Sequence, residues 1–155
     1  MADYEQLNAQ IGSLIAGVPH KVANLANAAA AIFNAIEDVN WAGFYLVEGE
    51  KLVLGPFNGK PACIEIPLGK GVCGTAAANK KPLYVPDVHA FPGHIACDSD
   101  SRSEFVVPIF GKNGEVAAVL DIDSPRKQRF APEELAGIEA IARTVERFVF
   151  CVLDF

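Results

Sequence analysis

The chain has 155 residues, of which 51% are hydrophobic and 21% are charged, and its formal net charge is −6 at pH 7. This length is enough for one domain that buries about 70% of its unfolded surface, so folding requires no disulfide. An acidic chain without a basic block is not expected to bind nucleic acid or an anionic membrane surface.

The start of the chain predicts a cytoplasmic protein. It lacks a basic segment followed by an apolar run, and no stretch reaches the roughly 18 uninterrupted apolar residues that span a bilayer. Thiols stay reduced in the cytoplasm, so any disulfide is expected to be transient and catalytic or sensory. We expect residues 1–155 to form a single domain.

The first third of the chain has the periodicity of helices. Apolar residues recur at intervals of three and four between Leu7 and Ile36, which predicts one buried stripe. Pro19 follows closely on Gly17 and is expected to divide this stripe into two helices. Because a proline in the first turn of a helix loses no hydrogen bond by lacking an N–H, Pro19 is predicted to open the second helix.

Beyond residue 42 the pattern changes to that of antiparallel hairpins. Short β-rich runs flank Glu48-Gly49-Glu50, and two longer runs flank Asn113-Gly114, which supplies the positive φ angles of a tight hairpin. The predicted strands are 44–47, 52–54, 64–66, 83–85, 104–110 and 116–123.

A final helix is predicted to begin around Pro132, because proline and acidic residues are favoured in the first turn of a helix. Its apolar stripe runs from Leu135 to Val149, and Cys151 is expected to be an inert packed thiol near its end. The predicted fold class is α+β, a central antiparallel sheet with N- and C-terminal helices packed on one face.

The segment from Pro86 to Ser103 has little periodicity and is rich in Asp, Ser, Pro, Gly and His. Loops of this length in compact domains are usually functional or disordered. The aromatic and aliphatic residues within it favour an ordered lid.

Three cysteines lie in the part of the chain that is rich in glycine and proline. Cys63, Cys73 and Cys97 stand outside any stretch whose apolar periodicity predicts a core, whereas a structural cysteine normally packs as a small hydrophobe. The neighbouring prolines and glycines indicate turns whose side chains can face a cleft. These three thiols are therefore the candidates for reactive chemistry.

Three carboxylates form a second candidate group. Asp121 and Asp123 are two residues apart on one predicted strand, so their side chains point to one face, and Glu104 opens the strand predicted to pair with it. Like charges at short range cannot all stay ionised, so at least one pKa is expected to rise and leave a proton donor near neutral pH. In the alternative interpretation, Asp123 merely ends its strand in a turn and Glu104 is solvated.

Trp41 is the single tryptophan, and Tyr45 follows four residues later. Composition favours a core position for a tryptophan near the start of a strand. An aromatic wall beside a ligand stays open as a second interpretation.

Four separated segments of the chain are NWAGFY at 40–45, GPFNGKPAC at 55–63, GKGVCGTA at 69–76 and VPDVHAFPGHIAC at 85–97. In this order they resemble the free methionine-(R)-sulfoxide reductases, single-domain proteins of GAF type, and the resemblance covers roughly residues 35–145. It implies a GAF-like fold and the thiol-dependent reduction of free L-methionine-(R)-S-oxide to methionine. The preferences for the R epimer and for the free amino acid come from the resemblance alone.

The resemblance also implies roles for the three cysteines. Cys97 matches the catalytic cysteine, whose thiolate attacks the sulfoxide sulfur and becomes a sulfenic acid. Cys63 matches the principal resolving cysteine, which condenses with the sulfenic acid to a disulfide, and Cys73 matches a third cysteine with a secondary recycling role. Sequence spacing does not rank Cys63 against Cys73 as the resolver.

The remaining implied site residues are those that protonate and hold the substrate. Glu104, Asp121 and Asp123 correspond to an acid cluster that polarises and protonates the sulfoxide oxygen, and Trp41 and Tyr45 to the aromatic side of the substrate pocket. Thioredoxin is implied as the external reductant, with no bound cofactor and no metal. A homodimer is expected from the resemblance to dimeric GAF proteins.

Two other function classes stay open. One is a GAF-type sensor, in which the same pocket binds a small ligand or the cysteines register an oxidant without turnover. The other is a zinc protein that uses the three cysteines with His89 and His94, although the chain has no Cys-x-x-Cys pair.

Overall fold

The computed structural model describes residues 1–93 and 100–152. The helices in these ranges are α1 (Tyr4–Ile15), α2 (Lys21–Ala35), α3 (Gly71–Asn79) and α4 (Pro132–Val145). The strands are β1 (Trp41–Glu48), β2 (Lys51–Gly59), β3 (Glu65–Pro67), β4 (Leu83–Val85), β5 (Ser103–Phe110) and β6 (Val116–Ser124), with a 3-10 turn at Val88–Ala90 and a π-helical turn at Glu146–Phe150. Within the same ranges, the structure contains no helix with the length and apolar character needed to cross a membrane.

The strands form one antiparallel sheet in the order β3-β2-β1-β6-β5-β4. Both predicted hairpins are present, and β1 and β6 join them in the middle of the sheet. Trp41 of β1 and Glu104 of β5 both lie opposite Asp123 of β6. The register therefore brings the starts of β1 and β5 and the finish of β6 to the same end of the sheet.

The N- and C-terminal helices gather on one face of the sheet, as predicted. Helix α2 packs on β1 and β2, α4 packs on β5, and α1 packs against α2 and α4. Their apolar stripes meet inward-facing residues of the central strands, among them Phe44, Leu120 and Ile122, which are fully buried. Full burial of one such side chain contributes about 1.5–3 kcal/mol, so this layer is the main apolar core.

Helix α3 lies on the opposite face, where the sequence predicted no helix. Its residues Cys73, Ala76 and Ala77 belong to a second core together with Val106 of β5 and Val119 of β6. The nine residues of α3 are mostly small and buried. They therefore lack the alternation of apolar and polar residues that predicts an amphipathic helix.

The boundaries of several elements differ from the predicted ones. Helix α2 begins at Lys21, so Pro19 precedes the helix instead of opening it. Strand β1 already starts at Trp41 and β2 continues to Gly59, because these two residues pair and extend the hairpin beyond its β-rich runs.

Cys151 is exposed, so the prediction of a packed thiol is wrong. Helix α4 ends at Val145, and the π-helical turn that follows changes the rotation per residue. The next side chain is therefore turned away from the buried stripe, and Sγ of Cys151 lies 3.5 Å from the carbonyl oxygen of Phe110.

The described parts of the loop predicted as a lid are tied to the sheet. The backbone N–H of Val88 donates to Arg102 O at 2.8 Å, and the N–H of Arg102 donates to Ser124 O at 2.7 Å. Residues 94–99 lie outside the described residues. The ordered lid therefore stays a prediction.

Candidate active site

Three acidic side chains meet where β6 finishes and β5 begins. Glu104 lies opposite Asp123, and Asp121 precedes Asp123 by two residues on β6. Ile122 between them belongs to the main core, so strand alternation directs both aspartates to the α3 face. Glu104, Asp121 and Asp123, which we call the acid cluster, are only 7%, 4% and 9% exposed. The predicted shared face is thus confirmed, and the alternative of a solvated Glu104 is wrong.

Asp121 has a raised pKa in this arrangement. Burial raises the pKa of its carboxyl well above the usual range, and the charges of Asp123 and Glu104 raise it further. Its Oδ1 atom is buried and has no hydrogen-bond partner among residues 1–93 and 100–152. Such an atom costs about 1–3 kcal/mol, a cost that proteins tolerate where a ligand supplies the missing polar partner.

Cys73 borders the acid cluster from the first turn of α3. The residue is 4% exposed, and its Sγ lies 3.7 Å from Oε2 of Glu104, within the range of a thiol hydrogen bond. Burial raises the pKa of the Cys73 thiol, and the charges of Asp121, Glu104 and Asp123 raise it further. Cys73 therefore stays protonated at neutral pH.

The expectation that Cys73 lies on a turn outside the core is wrong. The neighbouring Gly74 lies within helix α3, where the lack of a side chain allows the helix to approach another segment closely. A Cβ added at Gly74 would lie 2.5 Å from the carbonyl oxygen of Pro67. The glycine thus lets the first turn of α3, which carries the buried Cys73, pack directly on the end of β3.

The two other candidate cysteines are placed differently. Cys63 is half-buried just before β3, and its carbonyl oxygen accepts a 2.9 Å hydrogen bond from the Tyr45 hydroxyl. Its sulfur is disulfide-bonded, whereas Cys73 and Cys151 are free thiols. Cys97, the predicted nucleophile, lies outside the described residues.

Trp41 and Tyr45 are both core residues and neighbours of the acid cluster. Each is 2% exposed, and their ring centroids are 5.9 Å apart in a stacked arrangement. Trp41 also donates from Nε1 to the carbonyl oxygen of Lys60 at 3.2 Å. Burial raises the pKa of Tyr45, and nearby negative groups, Asp121 first among them, raise it further. The two rings therefore form a packed wall beside the carboxylates.

Phe57 is a third member of this wall and was missed from the sequence. Its ring stacks on Trp41 with the centroids 5.1 Å apart. A phenylalanine within a run of glycine and proline carries no strand signal, so only the pairing of β1 with β2 reveals its position.

Two polar contacts connect the start of β1 and the chain after β2 to residues 100 and 101. Asn40 Nδ2 donates to Ser101 Oγ at 3.2 Å, and Lys60 Nζ pairs with Asp100 at 2.5 Å. The ion pair is exposed, so water screens it and it adds little to stability. Its effect is geometric, because it holds the loop predicted as a lid against the segment that leads to Cys63.

The described residues do not bring the ligands of the predicted zinc site together. His89 is exposed and lies 3.7 Å from Asp87, and Cys63 is disulfide-bonded. His94 lies outside the described residues. Among those described, the possible ligand atoms within 4.8 Å of one another belong to Cys73, Glu104 and Asp121. This set lacks the imidazole or second thiolate typical of structural zinc sites.

Comparison with known proteins identifies relatives over almost the whole chain. The family model of the GAF domain matches residues 22–149. The free methionine-R-sulfoxide reductase of Escherichia coli K12 is 47% identical over 152 residues, which cover 98% of this chain and 91% of that protein.

Solved structures agree with this relationship. The reduced form of fRMsr from Staphylococcus aureus has a TM-score of 0.92 at 46% identity and covers 96% of each chain. The free methionine-R-sulfoxide reductase from Neisseria meningitidis, in complex with its substrate, has a TM-score of 0.90 at 43% identity and covers 94% of this chain and 87% of that chain. The predicted GAF-like α+β fold is therefore confirmed, and the chain belongs to the free methionine-R-sulfoxide reductases of GAF type, a family of oxidoreductase enzymes.

Proposed function

We propose that this chain reduces free L-methionine-(R)-S-oxide to methionine. The acid cluster carries the proposal, because burial and neighbouring charge raise the pKa of Asp121, whose buried Oδ1 has no hydrogen-bond partner in the described part of the chain. A sulfoxide oxygen is a poor leaving group, so its departure requires a proton donor at that place. The names of the relatives from Escherichia coli and Neisseria meningitidis support the choice of substrate.

Cys97 is the proposed nucleophile, on the resemblance of its motif. Its thiolate attacks the sulfoxide sulfur while the acid cluster protonates the oxygen. The substrate sulfur gains two electrons and leaves as methionine. The oxygen passes from the substrate sulfur to the sulfur of Cys97, which loses two electrons and becomes a sulfenic acid as its bond to the substrate sulfur breaks.

Cys63 is the proposed resolving cysteine. Its thiol condenses with the sulfenic acid of Cys97, which forms a disulfide and releases the oxygen as water. The disulfide-bonded state of Cys63, beside a free Cys73, supports this choice. The dithiol of thioredoxin then reduces the disulfide, so the cycle needs no bound cofactor.

The amino-acid end of the substrate also requires partners. Backbone N–H groups in the glycine-rich loops are proposed to bind the carboxylate, and the acid cluster to attract the ammonium. Trp41 and Tyr45 are proposed to contact the methyl and sulfur end. We further propose that residues 1–155 are one catalytic domain that acts in the cytoplasm as a homodimer.

Substrate analogues test the proposed role of the acid cluster in holding the ammonium. An analogue that lacks the ammonium is expected to bind more weakly to the chain, because it loses the attraction to buried negative charge. An unchanged inhibition constant in the turnover assay would contradict this part of the proposal.

The decisive test is turnover of free methionine-(R)-sulfoxide with either dithiothreitol or thioredoxin as the reductant. We expect Cys97→Ser to be inactive with both reductants, and Cys63→Ser to be active with dithiothreitol alone, because a small dithiol reaches the sulfenic acid directly. Cys151→Ser is the matched control, since Cys151 is exposed and its Sγ contacts Phe110, at the other end of β5 from Glu104. An inactive wild type would contradict the proposed function.

A further inference from the structure

The surroundings of Cys73 differ from those of a cysteine that exchanges disulfides. Exchange requires an accessible thiolate that can approach a second sulfur. Cys73 is 4% exposed, is fixed within a helical turn of α3, and is packed in the second core. It is also a free thiol while Cys63 is disulfide-bonded.

The Cys73 thiol instead faces the carboxyl groups of Glu104 and Asp121, and its sulfur lies within 4.8 Å of an oxygen of each. Its Sγ lies 3.7 Å from Oε2 of Glu104. A protonated thiol is a donor and a carboxylate an acceptor, so the hydrogen bond runs from Cys73 to Glu104. A buried glutamate loses considerable rotamer freedom, and a donor fixed on the facing helix limits the positions that its carboxylate adopts.

We propose that Cys73 is a positioning residue of the acid cluster, whose thiol hydrogen bond holds the Glu104 carboxylate beside Asp121, and that it takes no part in disulfide exchange. This inference rests on the proposed reductase function. It gives Cys73 a different role from the secondary recycling that the family resemblance implies. The thiol suits the position because its sulfur packs in an apolar core while its hydrogen faces the carboxylate.

Two variants of Cys73, each assayed with dithiothreitol and with thioredoxin, test the proposal. Cys73→Ser keeps a donor, and its kcat is expected to stay within about threefold of the wild type with either reductant. Cys73→Ala removes the donor, and its kcat is expected to fall about tenfold with both reductants, the size of effect that one lost hydrogen bond produces. A higher kcat for Cys73→Ser than for Cys73→Ala would show that the hydrogen bond matters and not only the packing of the side chain, because serine restores the donor without restoring the volume of the sulfur.

Two results of this assay would overturn the inference. If Cys73→Ser is active with dithiothreitol and inactive with thioredoxin, Cys73 is a resolving cysteine. If Cys73→Ala matches the wild type with both reductants, the contact with Glu104 does not serve the reaction. Cys63→Ser, run in parallel, supplies the behaviour expected of a true resolver.

Infrared spectroscopy of the S–H stretching band gives a readout that does not depend on turnover. The difference between the spectra of the wild type and Cys73→Ser isolates the band of Cys73. Glu104→Gln is expected to move this band to higher frequency, because a neutral amide accepts a weaker hydrogen bond, and to leave the band of Cys151 in place. If the Cys73 band does not move in Glu104→Gln, the inference is overturned. If the wild type is inactive in the turnover assay, the proposed function is rejected, but the infrared measurement still shows whether the hydrogen bond between Cys73 and Glu104 exists.

Discussion

The Asp121 side chain combines three properties of a proton donor. It is buried, it lies beside negative charge, and its Oδ1 has no hydrogen-bond partner in the described part of the chain. Asp121→Asn keeps the shape of the side chain and removes the transferable proton. We expect kcat/KM for free methionine-(R)-sulfoxide to fall by about 10²–10⁴, the range for loss of a general acid. Initial rates measure the loss, and circular dichroism verifies that the variant is folded.

Glu65→Gln is the matched control for this substitution. Glu65 is an exposed carboxylate that pairs with Lys51 at 2.8 Å on the surface, and its replacement is expected to leave kcat/KM within about twofold. A rate of Asp121→Asn close to that of the wild type would show that the proton comes from another group.

Asp121 also links stability to pH. Folding raises the pKa of its carboxyl above the unfolded value of 3.8, so the folded chain binds the proton more tightly than the unfolded chain. The stability from this proton is complete below the unfolded pKa and declines as pH rises through the folded pKa. Because Asp121→Asn does not titrate, its Tm relative to the wild type is expected to increase from about pH 5 to about pH 8. A Tm difference that stays constant over this interval would contradict the raised pKa.

The acid cluster was predictable from the sequence because it depends on local rules. Side chains of a strand alternate with a period of two, and a hairpin turn sets the register that brings Glu104 opposite Asp123. The positions of Phe57 and Cys73 depend instead on how closely separate elements approach one another. No local periodicity encodes that distance.

Strands β1 and β2 approach each other closely at Gly43, next to a bulge in the hairpin. A Cβ added there would lie 2.3 Å from Cβ of Phe57 and 2.9 Å from the carbonyl oxygen of Pro56, and neither is the mobile end of a side chain. Gly43→Ala is expected to lower the free energy of unfolding by about 1–3 kcal/mol, because the two strands must move apart to admit the added methyl group. Denaturant unfolding measures the change.

Gly12→Ala provides the control, since among the described residues a Cβ at this position of α1 meets only Thr144 Cγ2, at 3.7 Å. Alanine stabilises a helix more than glycine does, so the free energy of unfolding of this variant is expected to rise by about 0.5–1 kcal/mol. If Gly43→Ala were as stable as the wild type, the close approach of β1 and β2 would not require glycine.

The helices differ in how far their sequences reveal them. Helices α1, α2 and α4 each bury one face in the main core, so an apolar stripe marks them and they were predicted. Helix α3 is short and buried over most of its surface, and its glycines suggest turns. Tertiary packing decides its conformation, which is why a local pattern did not predict it.

Across the whole molecule, the sheet separates a structural face from the face that carries the acid cluster. On the structural face, the hydroxyl of Tyr4 in α1 donates to Oε2 of Glu134 in α4 at 2.7 Å, and Arg129 Nη1 donates to the same atom at 3.0 Å. Arg129 also donates from Nη2 to the carbonyl oxygen of Glu37 at 2.8 Å. Burial acts to raise the pKa of Glu134, but the hydrogen bonds from Tyr4, Ala131 and Arg129 outweigh it and the pKa is lowered. This network joins the first and last helices around an ionised carboxylate.

Tyr4→Phe tests whether the two faces are energetically separate. The variant removes one donor from Glu134 and keeps the ring, so the free energy of unfolding is expected to fall by about 0.5–1.5 kcal/mol. Both kcat and KM are expected to stay unchanged, because Tyr4 packs in the main core and the acid cluster lies across the sheet, next to the second core. Denaturant unfolding and initial rates are measured on the same preparation. A loss of activity that accompanies the loss of stability would mean that the helical face positions the acid cluster through the sheet, because Tyr4 belongs to the main core on the other side of the sheet.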